Sequence, residues 1–193
     1  MRQSCFFFAL LILFSCSTPQ ATNEARQFDR GRETGNALFV IKPDGQKITA
    51  TKISRPSVGN HTEDRITVDG QQMDAPDQVM AFQDANGYYK FLKDAKPTKY
   101  WKGEFIKRMR AGSTMSLYLK ALYAGGHEEY YYFDKNDGPL TLLTYENFSA
   151  ALSDKPEVKA EFDKLYPKKK VMANREFEAN SVNLPRLVEM YNQ

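Results

Sequence analysis

Apolar side chains recur at every second residue between about positions 36 and 143, and at every third or fourth from there on. Side chains alternate across a strand and return to one face of a helix after 3.6 residues, so the change of period predicts strands followed by helices. Residues 37–41 are apolar, and Pro43-Asp44-Gly45 turns the chain, because proline presets the first corner and glycine tolerates positive φ. Residues 47–53 (KITATKI) alternate and are β-branched, which predicts a hairpin with 37–41. Pro56, Gly59 and Asn60 make 54–61 a loop. A short strand over 65–68 ends at Asp69-Gly70. Residues 78–83 (QVMAFQ) and 88–92 are predicted to pair about a turn at 84–87, and 93–101, with Pro97, reads as loop. The segment 104–110 (EFIKRMR) fits either period and is assigned to a strand. In 114–123 (TMSLYLKALY), Met115, Leu117, Leu119 and Ala121 share one face, with Ser116, Tyr118 and Lys120 opposite. Residues 129–134 (EYYYFD), a turn at 136–139 and a return over 140–143 close the series.

The helical period begins after Thr144, a residue suited to an N-cap. Phe148, Ala151 and Leu152 share a face of the first helix. Ser153 or Asp154 is the expected cap of a second, with Pro156 early in its first turn, where a missing N–H costs nothing. Val158, Phe162, Leu165 and Tyr166 form its stripe. Residues 184–191 form the last helix, capped by Asn183. Short amphipathic helices are unstable alone, so all three are expected to lie across the strands. The predicted fold is a β-rich α+β domain: an antiparallel meander, barrel-like or sandwich, with a helical C-terminal section in about 144–193.

The first eighteen residues, MRQSCFFFALLILFSCST, follow neither period. Arg2 precedes an unbroken apolar run over 5–14, shorter than the roughly 20 residues that span a bilayer and of signal-peptide length. Leu13-Phe14-Ser15-Cys16 resembles a bacterial lipobox, with Phe14 bulkier than the usual residue. That resemblance implies cleavage before Cys16 and acylation of its thiol and new amino group, making Cys16 a lipid anchor. Ordinary secretory cleavage near Ala21 is the alternative. The expected organisation is a signal peptide over 1–15, a tether over 16–35 and one domain over 36–193. The tether is polar and charged, with Phe28 its only large apolar side chain, too little to order it.

Charge and cysteine usage narrow the function. The chain holds 27 Lys+Arg against 24 Asp+Glu. That balance lacks the concentrated basic surface nucleic acid requires, and export argues against nucleic acid as well. Cys5 lies in the signal and Cys16 is the anchor, so the body contains no thiol for a disulfide, a nucleophile or a thiolate metal site. The 13 Phe and 11 Tyr suit half-buried strands.

Several stretches together resemble exported proteins and lipoproteins of the Bacteroidota that carry no known activity. They are Phe82 with Gly87-Tyr88-Tyr89, the segment 112–118 (GSTMSLY), Tyr130-Tyr131-Tyr132-Phe133 with the leucines of 140–143, and Tyr191-Asn192. The resemblance covers most of 36–193 and implies location and fold type, not a mechanism.

Candidate chemistry is sparse. His127 precedes two carboxylates in Gly126-His127-Glu128-Glu129, but the only other histidine is His61, and HExxH spacing is absent. A surface histidine in a turn is the expectation, and no metal site is assigned. No G-x-S-x-G elbow or glycine-rich phosphate loop is present, and Ser113 lies outside any such motif. Residues 134–138 (DKNDG) fail calcium-loop spacing and read as a hairpin turn. Lys168, Lys169 and Lys170 read as a solvated helix end. Tyr88, Tyr89, Trp101 and Tyr131 are the candidate ligand-contact aromatics, weighed against ordinary strand packing. No catalytic residue and no cofactor is assigned. The expected role is a lipid-anchored envelope component for binding or assembly, held at the outer membrane and facing the periplasm, with an envelope protein as candidate partner. Ser17 after the anchor and the lack of an acidic run there favour that placement. A carboxylate-based hydrolase of an envelope glycan or lipid is the alternative.

Overall fold

The computed structural model of the protein describes residues 37–55, 64–95, 102–122, 128–168 and 183–193. Alternating segments form eleven strands: β1 (Leu38–Ile41), β2 (Lys47–Ala50), β3 (Ile53–Ser54), β4 (Arg65–Val68), β5 (Gln71–Asp74), β6 (Ala81–Asp84), β7 (Gly87–Lys93), β8 (Gly103–Arg110), β9 (Met115–Leu122), β10 (Glu128–Lys135) and β11 (Thr141–Leu142). Three helices follow among the described residues: α1 (Tyr145–Ala151), α2 (Pro156–Leu165) and α3 (Asn183–Tyr191). Eight strands make one sheet in the order β11-β10-β9-β8-β7-β6-β1-β2, and β3-β4-β5 make a second. Every pairing is antiparallel. The fold is therefore β-rich α+β, two sheets with a C-terminal helical section, and the large sheet does not close into a barrel.

The predicted strand over 47–53 is in fact two. It breaks at Thr51 and Lys52, where the chain leaves the large sheet for the small one. The corner is fixed by Asp69, whose carboxylate accepts from the Thr51 hydroxyl at 2.5 Å and from the Lys52 and Thr51 amides at 2.7 and 3.0 Å. Asp69 and Gly70 both take positive φ, 49° and 87°, as the Asp-Gly turn requires. These bonds, the Thr51 hydroxyl first and the Lys52 amide second, hold the Asp69 carboxyl below its ordinary range. A lowered carboxyl contributes stability above the unfolded pKa of about 3.9, and that contribution is lost as the pH falls through the folded value. Unfolding followed at successive pH values is expected to fall more steeply below about pH 4 for the wild type than for Asp69→Asn. Equal slopes would mean that the ionised carboxylate does not hold this corner.

Strand β5, QQMD, has no apolar alternation to announce it and forms only because β4 supplies a partner. The predicted strand over 78–83 starts later, at Ala81, since 75–78 are turn. Segment 104–110 is a strand, as assigned.

Both covers lie side by side on one face of the large sheet. Val40, Phe82, Tyr89 and Phe91 pack there against Ile66 and Val68 of the small sheet. Met109, Met115, Leu117, Tyr131 and Phe133 pack against Phe148, Leu152, Val158, Phe162, Leu184, Leu187 and Val188. Thr144 caps α1, its hydroxyl accepting from the Asn147 amide at 3.1 Å. Helix α2 is different from the expectation. Lys155 is its N-cap residue with no side-chain bond, because Asp154 is turned to Lys135 Nζ and the Tyr191 hydroxyl, each at 2.8 Å. Asn192 fastens the end of α3 to the sheet. Its Oδ1 accepts from the Thr114 and Met115 amides at 2.7 and 3.0 Å, and its Nδ2 donates to the Met115 and Val188 carbonyls at 2.9 and 2.6 Å. Gly112 permits this approach, since a Cβ there would collide with Asn192 Nδ2 and the Met115 carbonyl.

Candidate functional site

The second face of the large sheet carries Phe39, Ala81, Tyr88, Ile106 and Tyr118, all buried, with Ile41, Leu92, Tyr132 and Leu140 partly so. Among the described residues neither the small sheet nor the helices pack there. Lys90 of β7 reaches Asp134 of β10 across β8 and β9. Three strand spacings are about 14 Å on a flat sheet, so the sheet must curl toward this face.

The Lys90–Asp134 contact organises the hollow. Lys90 Nζ donates to Asp134 Oδ2 at 2.5 Å and to the Gly138 and Asp137 carbonyls at 2.8 and 3.1 Å. An ammonium has three donors, so this set saturates it. The Tyr118 hydroxyl donates to the same Asp134 oxygen at 2.9 Å. Burial, then the Asp134 charge, pushes the Tyr118 hydroxyl far above its ordinary range, and burial does the same to Tyr88, helped by Asp137 and Asp134. Both phenols are therefore neutral at any physiological pH. The turn after β10 is held against the sheet by Lys90, with Asn136 and Asp137 at φ 53° and 55°, a conformation these short polar residues tolerate. Cations cover the ring faces: Arg108 Cζ lies 3.9 Å over Tyr88, and Lys47 Nζ lies 3.5 Å over Phe39.

Between that turn and the β1–β2 hairpin the hollow opens as a cleft of about 700 Å³. Ile41, Met80, Leu92, Leu140 and three prolines supply most of its wall. The ionisable residues along it, among those described and apart from Tyr88, are Lys42, Lys90, Lys93 and Asp137. A second groove of about 680 Å³ lies between β1–β2 and the small sheet. Its polar groups are largely committed: Asp69 to the corner, Asp77 to Lys102 at 2.5 Å, and Gln78 to the Asp74 amide at 2.9 Å.

The three candidate aromatics among the described residues do not share a surface. Tyr88 lines the cleft. Tyr89, its neighbour on β7, faces the opposite way, stacked on Phe82 at 4.9 Å with Arg55 lying 4.2 Å over its ring. Tyr131 is buried beneath the helices and donates to Glu129 at 2.6 Å. Adjacent strand residues alternate faces, which separates Tyr88 from Tyr89. Trp101, His61, His127 and Cys16, the expected anchor, lie outside the described residues. Residues 134–138 form the expected turn, with Asp134 occupied by Lys90 and Tyr118. No cluster of metal-ligating side chains occurs among the described residues.

Sequence reasoning did not find Lys90 and Asp134, which are 44 positions apart. One signal was available: a lysine inside the otherwise apolar run Tyr88-Tyr89-Lys90-Phe91-Leu92 must find an anion if the strand is buried on both faces. Compared with protein-family models, with curated proteins and with solved structures, the chain matches none.

Proposed function

We propose that the protein is a lipid-anchored component of the bacterial envelope that binds its target without transforming it, and that the cleft on the curled face is its recognition site. The cleft's composition carries this reading. Its walls are mainly apolar, and among the described residues Asp137 is the one carboxylate in a lining that includes no histidine, serine or threonine. A glycoside hydrolase brings two carboxyl groups to one bond, whereas a binding site needs apolar walls and a few placed polar groups. The signal-like run and Cys16 support anchoring, Ser17 supports the outer membrane, and the lack of an acidic run directly after Cys16 supports its periplasmic side.

A photoactivatable residue at position 140 of the full-length chain, used in cells, tests both parts. The expected result is a discrete adduct at that position, with the protein in the membrane fraction and labelled by an alkynyl palmitate. A Cys16→Ala copy should lose the label and leave that fraction. No adduct at 140, or turnover of an envelope glycan or lipid by the purified chain, would overturn the reading. Labelling that persists in Cys16→Ala would overturn the anchor.

A further inference from the structure

We propose that the cleft takes an uncharged acyl ester, its hydrocarbon chain along the apolar wall and its ester carbonyl accepting a hydrogen bond from the Tyr88 hydroxyl. The inference rests on the reading of the cleft as a binding site and adds the chemistry of what it holds.

Size and wall set the chain. At about 700 Å³ the cleft lies within the range of small-molecule sites, about 300–1,000 Å³. Tyr88, Lys90 and Leu92 alternate onto the cleft face of β7 and span about 13 Å. Ile41, Leu92 and Leu140 are each only partly buried, so the wall retains apolar surface that a chain would cover.

The charges exclude an ionic head. Lys90 is saturated by Asp134 and two carbonyls and has no donor left for a ligand. Lys42 and Lys93 border the cleft, but alternation turns their side chains to the opposite face, Lys93 with Tyr89 and Phe91 and Lys42 with Val40. Asp134 is taken by Lys90 and Tyr118, and Asp137 is exposed, so water screens it. A buried anion here would lack a cation and a buried cation would lack an anion, and either costs more than an uncharged group.

Tyr88 sets the polar end. It lines the cleft and is 7% exposed. Its ring packs against Phe39, with centroids 6.2 Å apart, and beneath Arg108, which leaves the hydroxyl end to the cleft. That hydroxyl has no hydrogen-bond partner among the described residues. Leaving a buried hydroxyl unpaired is costly, and a ligand acceptor removes the cost. Burial keeps the phenol protonated, so it donates. One donor beside an apolar wall matches one carbonyl beside a chain. A sugar would bring many hydroxyls to a wall with few partners for them.

The test uses the full-length chain in nanodiscs of a diether phosphatidylcholine, which has no ester carbonyl of its own. The probes are diazirine-bearing methyl decanoate and diazirine-bearing dodecane, a chain of the same length without the ester, with adducts mapped by mass spectrometry. Both are expected to label the peptides holding Ile41, Leu92 or Leu140. Tyr88→Phe should weaken labelling by the ester about fivefold and change labelling by the alkane less than about twofold. Circular dichroism checks that the variant retains its fold. On the wild type, at about pH 9 where the acid is ionised, decanoate and dodecyltrimethylammonium should each compete at least about fivefold less well than unlabelled methyl decanoate. A Cys16→Ala copy names the source within this class: labelling equal to wild type for a free lipid ester, increased labelling for acyl groups carried by Cys16 itself. Equal loss of both probes in Tyr88→Phe, or loss of neither, would overturn the carbonyl contact. Competition by decanoate or by the ammonium equal to that of the ester would overturn the uncharged ligand. Labelling only elsewhere, together with an adduct at position 140 in cells, would overturn the ligand class alone. Absence of both would overturn the site itself.

Discussion

Replacing Lys90 with methionine is expected to lower the free energy of unfolding by about 3–5 kcal/mol. The Asp134 side chain is only 1% exposed, and it loses its sole cationic partner among the interactions described. Tyr118 remains, but one phenolic donor does not balance a desolvated carboxylate. The same change releases the Asp137 and Gly138 carbonyls, so the turn that walls the cleft loses its clip. Removing the charge as well as its partner should cost less. Lys90→Met combined with Asp134→Asn is expected to recover about 1–3 kcal/mol relative to Lys90→Met alone, because no ion is then stranded. Urea unfolding of wild type, both single variants and the double closes the cycle. A Lys90→Met protein within about 1 kcal/mol of wild type would show that the Asp134 carboxylate reaches water or a proton, and that the pair does not organise the hollow.

Phe148→Ala is the second large loss, at about 3–5 kcal/mol. Phe148 is fully buried and bridges layers: its ring meets Phe133 of β10 edge-on at 5.3 Å and Phe162 of α2 edge-on at 5.2 Å. Truncation removes apolar area, leaves a cavity and breaks two ring contacts at once. Phe148→Leu keeps most of the volume and should cost under about 1.5 kcal/mol. Leu165→Ala, on the α2 stripe that carries Phe162 but only partly buried, is the control and should also cost less than Phe148→Ala. Equal losses for Phe148→Ala and Leu165→Ala in denaturant titrations would mean that the sheet–helix contact does not depend on this ring.

Local signals decided what was legible in the sequence. The turns at Asp69-Gly70 and 136–139, the alternation of Met115, Leu117 and Leu119 against Ser116, Tyr118 and Lys120, and the Thr144 cap all lie within a few residues of what they determine, and each is found in the structure. Misreadings arose where a partner far along the chain decides the outcome. The break at Thr51 depends on Asp69, 18 positions away, and β5 depends on β4. Asp154 would cap α2 if it were not held by Lys135 and Tyr191, 19 and 37 positions distant. The assignment of Tyr118 to the face opposite Met115 and Leu117 was right, but that face is buried there as well. The cleft was illegible for the same reason. Curvature brings Ile41, Leu92 and Leu140 around one space, and no spacing between them encodes that.

The docking of Asn192 onto β9 also has a timetable. Its partner Met115 precedes it by 77 positions. A ribosome adding about 5–20 residues per second takes roughly 4–15 s to cover that interval. For those seconds Met115, Leu117, Tyr131 and Phe133 are being made, or already exist, without the last helix that seals them. The nascent chain therefore carries an uncovered apolar sheet face until α3 has been made, and a holdase bound to that face during synthesis would prevent the strands from meeting those of a neighbouring chain.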